Sequence, residues 1–291
     1  MKSLAAAECG IRAQHIKLPS GATEAEIRDK VRSLNDDPSV DGVLVQLPLG
    51  DHIDTDAERR ITEEIDPSKD VDGFHTINIG QLSSKACNPK FAPCTPVGVL
   101  RLLESVGLHN LAGLFAVVMG RSDIVGNPVT HLLRSRDCTV TQVHRHSKHV
   151  QQVLAMADIV VVAIGNPQFV QGSWLKPGAV VIDVGINYVP DATKKSGQRL
   201  VGDVDYESAW PVVSAITPVP GGVGPMTIAC LLENTVDAAE ARPGETLVGF
   251  GPVAGDLSLS AAGDLTEAAA RLFDMFPHTG HLESMALFER G

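Results

Sequence analysis

The chain has 291 residues, of which 44% are hydrophobic and 20% charged, and its formal charge is −11. That is the composition of an ordinary globular protein with a sizeable core, long enough for two domains. The acidic balance argues against a nucleic-acid coat or an anionic-membrane binder, and leaves room for a small anion on a local basic patch.

Five cysteines, Cys9, Cys87, Cys94, Cys138 and Cys230, are scattered without CxxC spacing. A disulfide framework or structural zinc is therefore not expected, and a reducing compartment is. The ten histidines show no ligand spacing, so no metal site is expected. No run reaches the roughly 18 apolar residues of a membrane span.

In chain order, Thr23 and Glu26 form a predicted capping box, with Ile27, Val31 and Leu34 on one helical face. Val43–Leu47 is a short apolar run of the kind a strand buried on both faces shows, and it delivers Gln46 to a Pro48 stop. Asp70-Val71-Asp72-Gly73 places two carboxylates at i and i+2. On an extended segment both would face one side, one acting in a site and the other structural. Thr95-Pro96 offers an N-cap and a first helical proline, and Gly107 closes that helix.

Beyond it, apolar runs at Ala116–Met119, Thr139–Val143, Ile159–Ile164 and Ala179–Val184 recur about every 20 residues, with helical patterns between the first three. Pro128 and Ser147 are plausible helix starts. The rhythm predicts α/β architecture: a Rossmann-type doubly wound parallel sheet, preceded by a smaller α/β domain.

The first of these runs leads into Gly120-Arg121-Ser122-Asp123-Ile124-Val125-Gly126-Asn127-Pro128. This departs from G-x-G-x-x-G but has the same physics: a glycine turn, then a helix start with free amides and the positive dipole end. Gly120, Arg121 and Ser122 are thus candidates to hold a dinucleotide phosphate; the alternative is a plain βα turn. The next strand ends in His144-Arg145-His146-Ser147-Lys148, where an NAD site often places a carboxylate. All of these are neutral or basic, which favours NADP over NAD, with Arg145 on the 2′-phosphate. A solvated basic turn is the competing reading.

Ile216–Thr227 reads ITPVPGGVGPMT, with three prolines and three glycines within Pro218–Pro225. Such a loop is rigid and rich in bare backbone, suits a flat ring or a phosphate, and ends in a helix from about Thr227. After Glu240 the chain turns Gly/Ala/Ser-rich. One amphipathic helix is predicted beyond that, capped by Asp264 with Glu267 at N3.

VQLPL (Val45–Leu49), KDVDGF (Lys69–Phe74), PCTP (Pro93–Pro96), GRSDIVGNP (Gly120–Pro128), DVGIN (Asp183–Asn187), VGDVD (Val201–Asp205) and ITPVPGGVGPMT occur in one order between Lys2 and Glu240. Together they resemble the bifunctional methylenetetrahydrofolate dehydrogenase/methenyltetrahydrofolate cyclohydrolase family. The resemblance implies NADP-dependent oxidation of 5,10-methylenetetrahydrofolate and hydrolysis of the methenyl product to 10-formyltetrahydrofolate. It also implies a folate substrate and a homodimer formed through the nucleotide domain. A cytoplasmic location is expected, or a mitochondrial one should a targeting segment precede Met1.

Carried over by position, Lys2 matches the family's catalytic lysine, Gln46 its hydrogen-bonding partner, and Asp72 the aspartate that holds the pterin ring. Val45, Gln46 and Leu47 match the folate cleft, as does the backbone of Pro220, Gly221, Gly222, Val223 and Gly224. Gly120, Arg121, Ser122, Arg145 and Ile186 match cofactor contacts.

The implied division is a catalytic domain at 1–95, to which helix 227–240 returns, a nucleotide domain at 96–226 and an atypical tail at 241–291. Two departures qualify it. The family has a strand before the lysine and a tyrosine four residues upstream, which this chain lacks, so Lys2 is expected to fray and a sheet edge to stand unpaired. The tail also leaves the family's pattern. Two readings stay open: an active enzyme, or a truncated isoform or pseudoenzyme that binds NADP without turnover. An unrelated Rossmann-type protein would make the shared motifs coincidences.

Overall fold

The computed structural model describes residues 2–84, 86–241 and, as strand backbone, 285–290. The predicted tail helix at Asp264 lies outside the described residues. Internal contacts divide the chain into two compact units: Met1–Cys94 with Ile228–Gly291, and Thr95–Thr227.

The first unit opens with α1 (Lys2–Glu8), β1 (Ile11–Ile16), α2 (Glu24–Asn35), β2 (Gly42–Leu44), α3 (Thr55–Thr62) and α4 (Thr76–Ser83). The Thr23/Glu26 capping box is present in both directions. Ile27, Val31 and Leu34 are buried with Val43, Val45, Leu49, Ala57 and Ile61 in one core, each large side chain contributing about 1.5–3 kcal/mol. Lys69 fastens the following turn to α2: its Nζ donates to the carbonyls of Leu34, Asn35 and Asp37, where the dipole favours a cation.

β2 is shorter than the apolar run predicts. It ends at Leu44, so Val45 and Gln46 leave the ladder before Pro48. The outer side of β1 has no strand partner among the described residues, an unpaired edge of the kind expected, whereas the facing sides of β1 and β2 are covered. A strand from the far end of the chain, Met285–Arg290, pairs antiparallel with both, so β1 and β2 run parallel to one another on either side of it. Periodicity could not announce that strand, because its partners lie more than two hundred residues away in sequence.

The second unit takes in nearly all of α5 (Cys94–Ser105), then β3 (Phe115–Met119), α6 (Gly126–Ser135), β4 (Thr139–Val143), α7 (Val150–Leu154), β5 (Ile159–Val162) and β6 (Val180–Asp183). There follow a two-stranded ribbon, β7 (Asn187–Pro190) with β8 (Gln198–Val201), then α8 (Tyr206–Ala209), β9 (Ala215–Ile216) and the first turn of α9 (Val223–Glu240). The Met285–Arg290 strand of the first unit is β10.

The main sheet has order β4-β3-β5-β6-β9 with every pair parallel. Alternate residues of its strands enter two cores. Ala116, Val118, Ile159 and Val161 pack with Val99, Leu103, Val129 and Leu133 of α5 and α6. Val117, Met119, Val160 and Val162 face the core that contains Leu154 of α7. Burial on both faces explains the unbroken apolar runs, and this is the doubly wound parallel sheet.

Several helix boundaries differ from expectation. α5 begins at Cys94, and Thr95 Oγ1 bonds Thr227 Oγ1 at 2.9 Å, so Thr95 is not its cap. α6 begins at Gly126 and α9 at Val223. α7 begins at Val150, after His149 at φ 58°; Ser147 Oγ instead accepts from the His144 amide at 3.0 Å, closing a turn.

Candidate functional site

In the first unit α1 carries Lys2, whose Nζ donates to Gln46 Oε1 at 2.8 Å. Gln46 Nε2 in turn donates to the Leu47 carbonyl at 3.1 Å, which holds the amide with its oxygen toward the lysine. Both side chains are half-buried. Lys2 is thus part of a helix and hydrogen-bonded, where terminal fraying was expected. Val45 lies in the core at 2% exposure, so its side chain is packing and its backbone is what a ligand could use. Leu47 packs partly against the same core.

The two carboxylates of the DVDG segment do not face one side, because the segment is a turn rather than a strand. Asp70 points inward at 1% exposure and accepts from Gly73 N, His75 N and Asn78 Nδ2. Burial raises its pKa above the usual carboxylate value, partly opposed by those bonds. Asp72 is half-buried. The Cys94 thiol lies 3.8 Å from Asp72 Oδ1 and donates to the Val71 carbonyl at 3.3 Å. Burial pushes that thiol well up, as does the charge of Asp72, while the charge of Lys2 opposes the rise.

In the second unit the order of the sheet reverses between β3 and β5, where α/β sheets bind ligands beyond their carboxyl ends. Gly120 occupies that switch point. Its φ is +117°, and a Cβ there would stand 2.2 Å from the Ala163 carbonyl oxygen, just past β5. Gly126 packs on Gly120 in turn, where a Cβ would meet the Gly120 oxygen at 2.5 Å. These glycines let backbone approach backbone.

Ser122 is differently employed than expected. Its Oγ accepts from the amides of Val125 at 3.2 Å and Gly126 at 3.3 Å, so two of the supposedly free amides at the start of α6 are occupied. Arg121 is exposed. Gln142 Nε2 ties β4 to this turn through Gly120 O and Asn127 Oδ1, both at 3.0 Å. Arg145 is exposed at the end of β4, its Nε donating to His146 Nε2 at 3.2 Å. Ile186 is 58% exposed, a large apolar side chain offered to solvent beside the ends of the strands.

Two buried aspartates brace this end of the sheet. Asp203, fully buried, accepts at Oδ2 from Ile164 N and Gly165 N, and at Oδ1 from Asn166 N and Asn187 Nδ2. Asp183 accepts from the amides of Gly185, Asp203 and Val204. Burial raises the Asp183 pKa to about 6 against the pull of those bonds. Thr217 Oγ1 accepts from Asp183 N at 2.8 Å, anchoring the start of the proline-glycine loop.

Within that loop the Val219–Pro220 peptide is cis and Gly221 has φ +107°. A Cβ on Gly222 would collide with Pro218 O and Thr217 Cβ, each at 2.7 Å. The glycines thus serve the loop's own compactness. A separate cavity of about 320 Å³ near Leu108, Pro177 and Ser214 lies at the amino ends of β5 and β6, the opposite edge of the sheet. Its charged groups, Lys176 and Asp158, pair with each other at 2.5 Å, so it offers little to a polar ligand.

Two family profiles match the chain: the tetrahydrofolate dehydrogenase/cyclohydrolase catalytic domain over residues 1–72, and the NAD(P)-binding domain of the same enzymes over residues 93–243. The chain belongs to the tetrahydrofolate dehydrogenase/cyclohydrolase family. A bifunctional FolD protein of Zymomonas mobilis is 56% identical over 234 residues, which is 79% of this chain and 77% of that protein. FolD 2 of Arabidopsis thaliana is 52% identical, covering 84% and 80% of the two chains. Among solved structures, the Trypanosoma brucei methylenetetrahydrofolate dehydrogenase-cyclohydrolase complexed with NADP and an inhibitor is 43% identical. It aligns at a TM-score of 0.76 over 81% of this chain and 78% of that one.

Against this dehydrogenase/cyclohydrolase background, the residues that pattern reading missed are Asp183, Asp203 and Gln142. The first two stood inside the DVGIN and VGDVD motifs without a role, because nothing local shows that an aspartate binds amides twenty to forty residues away.

Proposed function

We propose that this chain oxidises 5,10-methylenetetrahydrofolate to the 5,10-methenyl cation with NADP and hydrolyses that cation to 10-formyltetrahydrofolate. The observation that carries the reading is the 2.8 Å bond from Lys2 Nζ to Gln46 Oε1, in a chain whose bifunctional relatives are more than half identical to it. In the first reaction the one-carbon bridge loses a hydride, and NADP supplies the acceptor. In the second, water adds to the methenyl carbon, one C–N bond opens, and one proton is released.

Lys2 and Gln46 serve the proton. The Gln46 oxygen fixes the direction of the amine, and the Lys2 amine relays the proton given up by the attacking water. Asp72 holds the pterin through its ring nitrogens, a pairing that suits a half-buried carboxylate. The backbone of Val45–Leu47 contributes to folate binding.

The residues present fit NADP. The end of β4 has no carboxylate, and Arg145 and Lys148 stand exposed there to take the 2′-phosphate. The Gly120 turn admits the backbone approach a dinucleotide needs, and Ile186 offers an apolar face to its nicotinamide. The resemblance to the family further supports a cytoplasmic homodimer associated through the second unit; a protomer mass in sedimentation would overturn the dimer.

The test is turnover. With methylenetetrahydrofolate and NADP, reduced cofactor should accumulate and the methenyl absorbance should pass over to 10-formyl product. Lys2→Met should abolish the hydrolytic step while NADP still binds. Wild-type protein that binds NADP but turns over neither reaction would refute the proposal.

A further inference from the structure

Helix α9 carries a polar side chain that the proposed reaction does not use. Asn234 is 5% exposed, and its Nδ2 donates to the carbonyls of Val71 at 2.8 Å and Ala92 at 3.1 Å, with the Cys94 sulfur 3.6 Å away. Both carbonyls bear on Asp72. The Val71 oxygen belongs to the peptide that leads directly into Asp72, so a bond to it fixes the plane from which the Asp72 side chain departs. The Ala92 carbonyl lies where the same turn presses on the chain before α5: Gly73 has φ +73°, and a Cβ there would stand 2.7 Å from the Ala92 carbonyl carbon.

One amide group therefore clasps the two segments that meet behind Asp72. Cys94 Sγ completes the frame through the Val71 carbonyl and the Asp72 carboxylate, and Asp70 holds the far side of the turn.

We infer that Asn234 is a positioning residue that aims the Asp72 carboxylate at the folate. This rests on the reading that Asp72 binds the pterin. Loss of the amide leaves two carbonyls without their strong donor and frees the peptide before Asp72 to rotate. A misplacement of about 1 Å in a binding group can cost on the order of a hundredfold in rate.

The experiment is a double-mutant cycle on purified full-length protein, reading KM for methylenetetrahydrofolate, kcat and NADP affinity. Asn234→Ala should raise the folate KM about tenfold or more and leave NADP affinity unchanged. In an Asp72→Ala background it should add nothing further, because the group it aims is gone. Additive losses, or an unchanged folate KM in the single variant, would overturn the inference. An Asp72→Ala variant with normal folate KM would instead sink the reading of Asp72 itself. Should Asn234→Ala not fold, the similarly sized Asn234→Leu keeps the volume and removes the donors, and takes its place in the cycle. If neither folds, Asn234 holds the fold rather than aiming Asp72, and the inference fails.

Discussion

Replacing Asp203 by alanine tests whether one buried carboxylate braces the cofactor end of the sheet. The side chain is fully buried and receives four donors: Ile164 N at 2.7 Å, Gly165 N at 3.0 Å, Asn166 N at 2.9 Å and Asn187 Nδ2 at 2.8 Å. Gly165 and Asn166 are exposed, so their amides regain water when the acceptor goes. Ile164 N and the Asn187 amide, both half-buried, lose their Asp203 partner, the amide keeping only a longer bond from Nδ2 to the Val201 carbonyl at 3.4 Å. At about 1.5–3 kcal/mol for each hydrogen bond to a charged group, the gross loss is about 3–6 kcal/mol. Removal of a second negative charge beside Asp183 offsets part of this, since that charge is among the causes that raise the Asp183 pKa. A net destabilisation of about 3 kcal/mol remains, which at a slope of about 1.5–2 kcal/mol per molar urea moves the midpoint down by about 1.5–2 M. Both tryptophans, Trp174 and Trp210, lie in the second unit, so their fluorescence reports the unit in question. Asp203→Asn, which keeps one acceptor but turns an amide toward the donors, should fall between the two. A midpoint shift for Asp203→Ala below about 0.5 M with unchanged slope would refute the reasoning.

The same residues show where sequence pattern stops being informative. The parallel sheet was legible because burial on both faces leaves unbroken runs such as Val117–Met119 and Ile159–Val162, and α2 because Thr23 and Glu26 act on each other three residues apart. The lysine–glutamine pair and the Gly120 turn were visible through the family's motifs. What pattern could not show is chemistry that closes across the chain. Asp70 and Asp72 look equivalent in DVDG, and only the turn separates an inward carboxylate from an outward one. Ser122 reads from the motif as an anion ligand, and nothing local shows that its oxygen also accepts from two amides of its own helix, which leaves the O–H to donate. Asn234 sits in an apolar helix, and its two acceptors come from segments more than a hundred residues upstream. The same distance hid β10, which no local period could have paired with β1 and β2.

Three further outcomes follow from the second unit. Arg145→Ala should weaken NADP binding at least tenfold, on the order of one lost charge-assisted phosphate contact, and leave NAD binding nearly unchanged by calorimetry; equal losses would remove the 2′-phosphate assignment. Gly120→Ala sets a Cβ 2.2 Å from the Ala163 oxygen at a φ of +117°, so it should cost more than about 3 kcal/mol or abolish folding; a variant with wild-type urea midpoint would show that the switch point gives way freely. Asp183, raised to about 6 chiefly by burial, holds its proton more tightly folded than an unfolded aspartate at 3.8. Between these values the native state binds the extra proton, so this group's contribution is fully present below about pH 4 and is lost as pH rises through about 6, a difference of about 3 kcal/mol. Carboxylates that gain partners on folding, such as the half-buried Asp158 with Lys176, have lowered pKa values and act in the opposite sense, so total stability does not isolate Asp183. Its own carboxyl carbon does: the NMR titration of that resonance should have its midpoint about two units above an ordinary aspartate. A midpoint near 4 would mean that the three backbone amides offset burial, and that Asp183 braces the sheet as an anion down to about pH 4.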